Sequence, residues 1–246
     1  MQLERRSLLL TGASRGIGHA TVKRFLEDGW HILTISRQPF SSACPWEEGG
    51  ENHIQLDLAN IGSIAKAIPD IRRRLPWGRL HALVNNAAIS PKAAAGGRLR
   101  PLDTPLSVWQ HVFNVNFFAT IALAQGLKDE LIAGRGTIIN VTSIAGSRVH
   151  PFAGSAYATS KAALAALTRE FAADFGPFGV RVNAIAPGEI DTSILSPGTE
   201  KIVETEIPLR RLGSPREIAD TIFFLCSGAA SYINGAEVHI NGGQHV

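Results

Sequence analysis

Apolar runs of strand length alternate with helically spaced segments along the whole chain, and this alternation restricts the possible folds more than any other feature. The runs lie at 7–10, 30–35, 53–56, 80–84, 137–141, 180–185 and 238–240; the helical segments lie at 17–26, 61–75, 108–131, 156–175 and 216–226. A strand, a helix and a second strand close as a right-handed crossover, which makes the strands parallel and lays the helix over them. The pattern predicts an α/β fold, a doubly wound parallel sheet with helices on both faces. No internal repeat interrupts it, and the stretches 38–51 and 91–105, rich in Pro, Gly, Ser and Ala, read as loops rather than linkers.

With 246 residues, 45% of them hydrophobic, the chain has enough apolar material for one full core. Residues 1–246 are therefore read as a single domain. The net charge of +3 comes from dispersed basic residues without an aromatic-interleaved basic run, so no nucleic-acid partner is expected. Eight histidines lack HExxH or paired-ligand spacing, and no metal is expected. No stretch approaches a membrane span and the first residues carry no targeting signature, so the expectation is a soluble, cytoplasmic protein without membrane association. Cys44 and Cys226 are too few for a disulfide framework and are expected to stay reduced, Cys226 as helix core.

The first strand runs into Thr11-Gly12-Ala13-Ser14-Arg15-Gly16-Ile17-Gly18 at the start of a helix. Glycines let a backbone approach a pyrophosphate, and a helix N-terminus offers unpaired N–H groups and a favourable dipole. The spacing is GxxxGxG rather than the common GxGxxG, yet the strand-turn-helix context gives the sheet a Rossmann-like, dinucleotide-binding character. Further on, Tyr157-Ala158-Thr159-Ser160-Lys161 places a phenol and an ammonium four residues apart on one helix face. A neighbouring positive charge is expected to lower the phenol pKa towards the range useful for proton transfer. Upstream, the apolar segment 138–141 ends at Thr142-Ser143, Asn116 sits in Asn114-Val115-Asn116-Phe117-Phe118, and Val182 leads through Asn183 to a turn at Pro187-Gly188.

With these motifs together, the chain closely resembles the short-chain dehydrogenase/reductase family, from the glycine turn to Asn241-Gly242-Gly243, and in particular its 3-oxoacyl-carrier-protein reductase-like members. The resemblance implies a catalytic tetrad of Asn116, Ser143, Tyr157 and Lys161. Tyr157 would exchange a proton with the substrate oxygen, Ser143 would hydrogen-bond the same oxygen, Lys161 would also hold the nicotinamide ribose, and Asn116 would order a helix kink and a relay water. Gly12, Ser14, Gly16, Ile17 and Gly18 would cradle the pyrophosphate. Asp57 and Leu58 would contact adenine, Asn85 and Ala87 would lie beside the cofactor, and Pro187, Gly188, Ile190 and Thr192 would hold the nicotinamide amide. Three departures from the family pattern stand out: Ala88 replaces a glycine, Asn241 stands where many members have Asp, and the Ser143 to Tyr157 interval is one residue longer than in many relatives.

An NAD-preferring fold usually ends its second strand in Asp or Glu, which binds the adenosine ribose. Here that strand ends in Ser36-Arg37, with Arg15 in the glycine turn, a pair of guanidiniums suited to a 2'-phosphate; the expected cofactor is NADP. The expected activity is hydride transfer between NADP(H) and a small-molecule carbonyl or secondary alcohol, with a ketone or 3-oxoacyl thioester reduced. An alcohol or sugar dehydrogenase acting oxidatively, and a non-catalytic NADP-binding regulator, are the alternatives. Segments 91–100, 145–155 and the lid-like 189–208 would shape the substrate site. An acidic carrier protein would call for basic surface near the mouth; Arg98, Arg100, Arg148, Arg210 and Arg211 offer it from loops, with ordinary solvated surface as their other reading. A homotetramer is expected from the resemblance; Leu164, Leu167 and Phe171 form an apolar stripe that fits either a subunit interface or the chain's own sheet.

Overall fold

The computed structural model describes residues 5–40, 50–93, 97–193 and 195–246. Cys44, and parts of the stretches 38–51, 91–105 and 189–208, lie outside the described residues. Seven strands form one sheet in the order β3-β2-β1-β4-β5-β6-β7, every pairing parallel. They are β1 (Ser7–Thr11), β2 (His31–Ser36), β3 (His53–Gln55), β4 (Ala82–Asn85), β5 (Thr137–Val141), β6 (Arg181–Pro187) and β7 (Glu237–Ile240). The sequence order reverses between β1 and β4, and such a switch point leaves a crevice at the strand C-termini where these sheets bind ligands.

Strand periodicity explains why the sheet is covered twice. Leu8 and Leu10 face one side and Leu9 the other, all fully buried. On the first side, Leu8 and Leu10 pack with Val22 and Phe25 of α1 (Gly16–Glu27) and Ile218, Ile222 and Leu225 of α8 (Pro215–Leu225). On the second, Leu9 joins Ile64, Ile68 and Ile71 of α2 (Ile61–Arg74) and Phe171 and Phe175 of α6 (Ser155–Phe175). Each such buried side chain contributes about 1.5–3 kcal/mol relative to exposure. Cys226 closes α8 as a buried free thiol whose pKa burial pushes up to about 12, in keeping with a core role.

Two segments differ from the sequence expectation. The helix expected over 108–131 is divided into α3 (Leu106–Phe113), a π-helical turn (Asn114–Phe118), α4 (Ala119–Gly126) and α5 (Lys128–Ala133). Leu127, at φ −112° and ψ 19°, breaks the last two apart, while hydrogen bonds from Asn116 hold the π turn, as described below. Within 189–208, α7 (Thr199–Thr205) forms a short helix anchored by buried Thr199 and Ile202. Among the described residues, no helix is long and apolar enough to cross a membrane and no group of His, Cys, Asp and Glu is placed to hold a metal ion.

Candidate active site

The glycine turn is closed from both sides. Gly12 has φ +75°, and a Cβ there would stand 2.9 Å from the Cα of Ala87; a Cβ on Gly18 would stand 2.1 Å from the Gly12 carbonyl oxygen. The neighbouring loop is pinned to it: Thr11 Oγ1 accepts from the N–H groups of Asn86 and Ala87, both at 3.0 Å, and Asn86 Nδ2 donates to the carbonyls of Thr11 and Gly12. At the head of α1, Arg15 occupies the cap position without a side-chain cap bond, and no acidic residue stands in the first turn. The turn therefore presents N–H groups uncontested by a cap or a carboxylate, and its crowded glycines leave the backbone bare. These are the features a dinucleotide pyrophosphate needs.

Around this cradle the expected contact residues separate into two kinds. Ser14, Arg15, Arg37 and Asp57 are exposed, and Thr192 lies against Gly16, within 3.2 Å of where its Cβ would be. Ser36 donates to the Gln38 carbonyl, and Asp57 Oδ1 accepts from the Ala59 N–H. Leu58 and Ile190, by contrast, send their side chains into the two cores, and Ile17 packs against one of them. Asn85 also turns inward: its Nδ2 donates to Asn140 Oδ1 at 2.9 Å, and Asn140 in turn donates to Thr168 of α6. Pro187 ends β6 and Gly188 follows it, closely backed by Asn241. Ala88 is exposed.

The residues expected to react come together beyond the end of β5 and on α6. Ser143 follows β5; its hydroxyl accepts from the Ala145 N–H at 3.1 Å and lies near enough to the Tyr157 phenol on α6 to act against the rise in its pKa. Lys161, one turn on, is 2% exposed; its Nζ lies 5.7 Å from the Tyr157 ring centroid and donates to the Val141 carbonyl. Asn116 acts as a two-sided brace: Oδ1 accepts from the Ile89 N–H at 2.9 Å, while Nδ2 donates to the Ile89 carbonyl at 3.1 Å and to Ser160 Oγ at 3.0 Å. Ser160 donates to the Tyr157 carbonyl, so the brace ties the loop after β4 to the helix carrying the phenol.

The electrostatics correct one expectation. Tyr157 is pushed above the ordinary phenol pKa, first by burial, which outweighs the Ser143 hydrogen bond, with the Glu189 carboxylate acting in the same direction as burial. Lys161 is itself lowered to about 7 by burial. Both charged forms lose hydration in this site, so a lysine only partly charged near neutrality does not carry the phenol down. Sequence reading also missed Thr11, Asn86 and Ser160 as organisers, and the contact of 2.6 Å between His150 and Glu189. A carboxylate directly after a strand-ending Pro-Gly was the available signal for the last.

A doubly wound sheet with this glycine cradle and a Ser-Tyr-Lys group at its carboxyl edge defines a nicotinamide-dependent oxidoreductase. A family model described as Enoyl-(Acyl carrier protein) reductase matches residues 12–245. Protein FixR of Bradyrhizobium diazoefficiens is 61% identical over 244 residues, covering 99% of this chain and 88% of the relative. The 3-oxoacyl-[acyl-carrier-protein] reductase FabG of Thermotoga maritima is 34% identical over 252 residues, covering 99% of each. A crystal structure of a short chain dehydrogenase/reductase family oxidoreductase from Brucella ovis, in complex with a partially ordered NAD, has a TM-score of 0.85 at 58% identity and covers 97% of this chain and 100% of that one. The chain belongs to the short-chain dehydrogenase/reductase family.

Proposed function

We propose that this chain is an NADP(H)-dependent reductase of ketones, with Tyr157 as the proton donor. The observation that carries the reading is the gathering of Ser143 after β5 with Tyr157 and Lys161 on α6, Lys161 Nζ 5.7 Å from the phenol ring, where burial favours the protonated phenol. Reduction of a carbonyl needs a protonated donor at the oxygen; oxidation of an alcohol needs the phenolate that this site opposes. When bound, the nicotinamide supplies the hydride. Ser143 stabilises charge developing on the carbonyl oxygen, and one positioned donor of this kind is worth about 2.7–4 kcal/mol in the transition state. Lys161 orients the ribose, and Asn116 fixes the helix that carries Tyr157.

The preference for NADP(H) is supported by the end of β2, where Ser36 and Arg37 stand in place of a carboxylate, and by Arg15 at the head of α1. Both arginines are exposed, and neither makes an ion pair with a described residue. The 34% identity to FabG supports 3-oxoacyl thioesters as a second substrate class. An acidic carrier protein finds weaker support, because Arg148 is paired with Glu206 at 2.9 Å and Arg211 with Glu217 at 2.6 Å.

The test is consumption of NADPH with a panel of ketones and acetoacetyl thioesters. Tyr157→Phe is expected to bind NADPH as before and to lose turnover by orders of magnitude. A purified variant with near wild-type rates would overturn the assignment.

A further inference from the structure

The turn that carries Arg37 is fastened by side chains that the proposed reaction does not use. The ladder between β2 and β3 runs from Thr34 against His53 to Ser36 against Gln55, and the Leu56 N–H donates to the Ser36 carbonyl just beyond it. Arg37 and Gln38 lie past the last pair, where strand pairing no longer fixes the backbone. Their carbonyls are received instead by the two residues that flank buried Ile54 and share one face of β3. Gln55 Nε2 donates to the Arg37 carbonyl at 3.0 Å, and His53 Nε2 lies 2.9 Å from the Gln38 carbonyl.

A carbonyl oxygen only accepts, so His53 Nε2 donates to it. The Ser36 hydroxyl donates to the same oxygen at 2.8 Å and lies 3.4 Å from Nε2. On the other side of the ring, Nδ1 is 2.8 Å from the hydroxyl of Thr34, its partner in the ladder, and the Phe40 ring centroid is 5.9 Å away. The imidazole thereby bridges a fixed point inside β2, where Thr34 is buried, to the turn beyond its end. Ile35, the penultimate residue of β2, accepts at its carbonyl from the Gly12 N–H at 2.8 Å, which ties the same strand end to the glycine cradle. Two anchored carbonyls therefore fix the backbone from which Arg37 leaves the sheet, while Arg37 itself stays exposed.

We propose that His53 is a positioning residue for cofactor choice: by holding the Gln38 carbonyl it fixes the backbone from which Arg37 reaches the 2'-phosphate of NADP(H), with Gln55 as the second anchor. This rests on the NADP(H) reading above. An arginine on a frayed strand end must be ordered together with its backbone when the phosphate binds. A backbone ordered beforehand leaves only the side chain to arrange, so more of the attraction appears as affinity. NADH carries no 2'-phosphate, and its binding gains little from the anchors. Strand support alone would serve both cofactors alike.

The experiment measures NADPH and NADH dissociation constants by fluorescence titration of the wild type, His53→Leu, His53→Gln, Arg37→Ala and the double variant of His53→Leu with Arg37→Ala. His53→Leu keeps bulk beside Phe40 and loses the donor; it is expected to weaken NADPH about three- to tenfold and to leave NADH within a factor of about two. His53→Gln, whose amide places an N–H near the lost Nε2, is expected to restore the wild-type preference. In the Arg37→Ala background, His53→Leu is expected to add nothing, because it acts through Arg37. Should His53→Leu not fold, Gln55→Leu, at an exposed position, removes the second anchor and is expected to lower the NADPH preference in the same direction. Equal weakening of both cofactors, no rescue by His53→Gln, or an additive loss in the double variant would overturn the proposal. A wild type that prefers NADPH, with the ratio unchanged in both His53→Leu and Gln55→Leu, refutes the positioning role and leaves the NADP(H) reading standing; a wild type without that preference refutes both.

Discussion

Lys161 illustrates how burial sets the behaviour of a single residue. Its folded pKa of about 7 lies below the ordinary lysine value of 10.5. Between these values the unfolded chain holds a proton that the folded one has released, so stability rises with pH; below about pH 7 the penalty for the buried ammonium is fully present. The ligand-free protein is expected to gain up to about 1.4 kcal/mol per pH unit between pH 7 and 8.5, a window below the titration of the Cys226 thiol. Lys161→Met should remove that slope in denaturant unfolding, and an identical slope in both proteins would contradict it. Arg37 carries the second residue-scale expectation. Opposite unit charges at about 4 Å attract by about 4 kcal/mol at an effective dielectric near 20, and a third of that is about tenfold in affinity. Arg37→Ala is therefore expected to weaken NADPH about tenfold with little change in NADH, and Ser36→Asp to shift preference towards NADH. Specificity constants favouring NADH in the wild type would refute the choice of cofactor.

At the scale of elements, what the sequence revealed depended on whether the signal was local. The strands were legible because their apolar runs are short and bounded: 7–10 became Ser7–Thr11, and 137–141 is β5 itself. The long helix was not, because apolar spacing continues through Asn114–Phe118 while the extra residue of the π turn is held by Asn116 reaching Ile89, 27 residues away. Likewise Tyr157 and Lys161 could be paired from one helix face, whereas the contact between His150 and Glu189 joins separate segments 39 residues apart. The direction of the Tyr157 shift was illegible for the same reason, since burial is a property of the assembled site. The glycine turn offers an element-scale test. A methyl on Gly18 would meet the Gly12 carbonyl, so Gly18→Ala is expected to cost about 1–3 kcal/mol in urea unfolding and to abolish tight NADPH binding in a fluorescence titration. Wild-type binding in that variant would show that the turn is not the cradle.

For the whole molecule, the apolar stripe on α6 turns out to serve the chain itself. Leu164 and Phe171 are buried, and Leu167 packs against the core cluster that contains Phe171. The proposal of a homotetramer therefore rests on the family resemblance and not on that stripe. The exposed Phe118 and Phe178 offer apolar surface elsewhere. Light scattering at micromolar concentration is expected to give four times the chain mass of 26.3 kDa, and a monomer would overturn the expectation.

The strand order also governs how the chain is made. On the ribosome, β1 can pair with β2 soon after both emerge, Leu8 finding Ile32, but its other edge waits for β4, where Leu8 finds Ala82. Synthesis at 5–20 residues per second puts roughly 4 to 15 s between the emergence of Leu8 and that of Ala82. Through that interval the strand that later carries the glycine turn at its tip presents an open edge along three consecutive leucines, the kind of surface on which nascent chains aggregate. The switch point that creates the cofactor crevice in the finished protein is thus also the last seam of its N-terminal half to close.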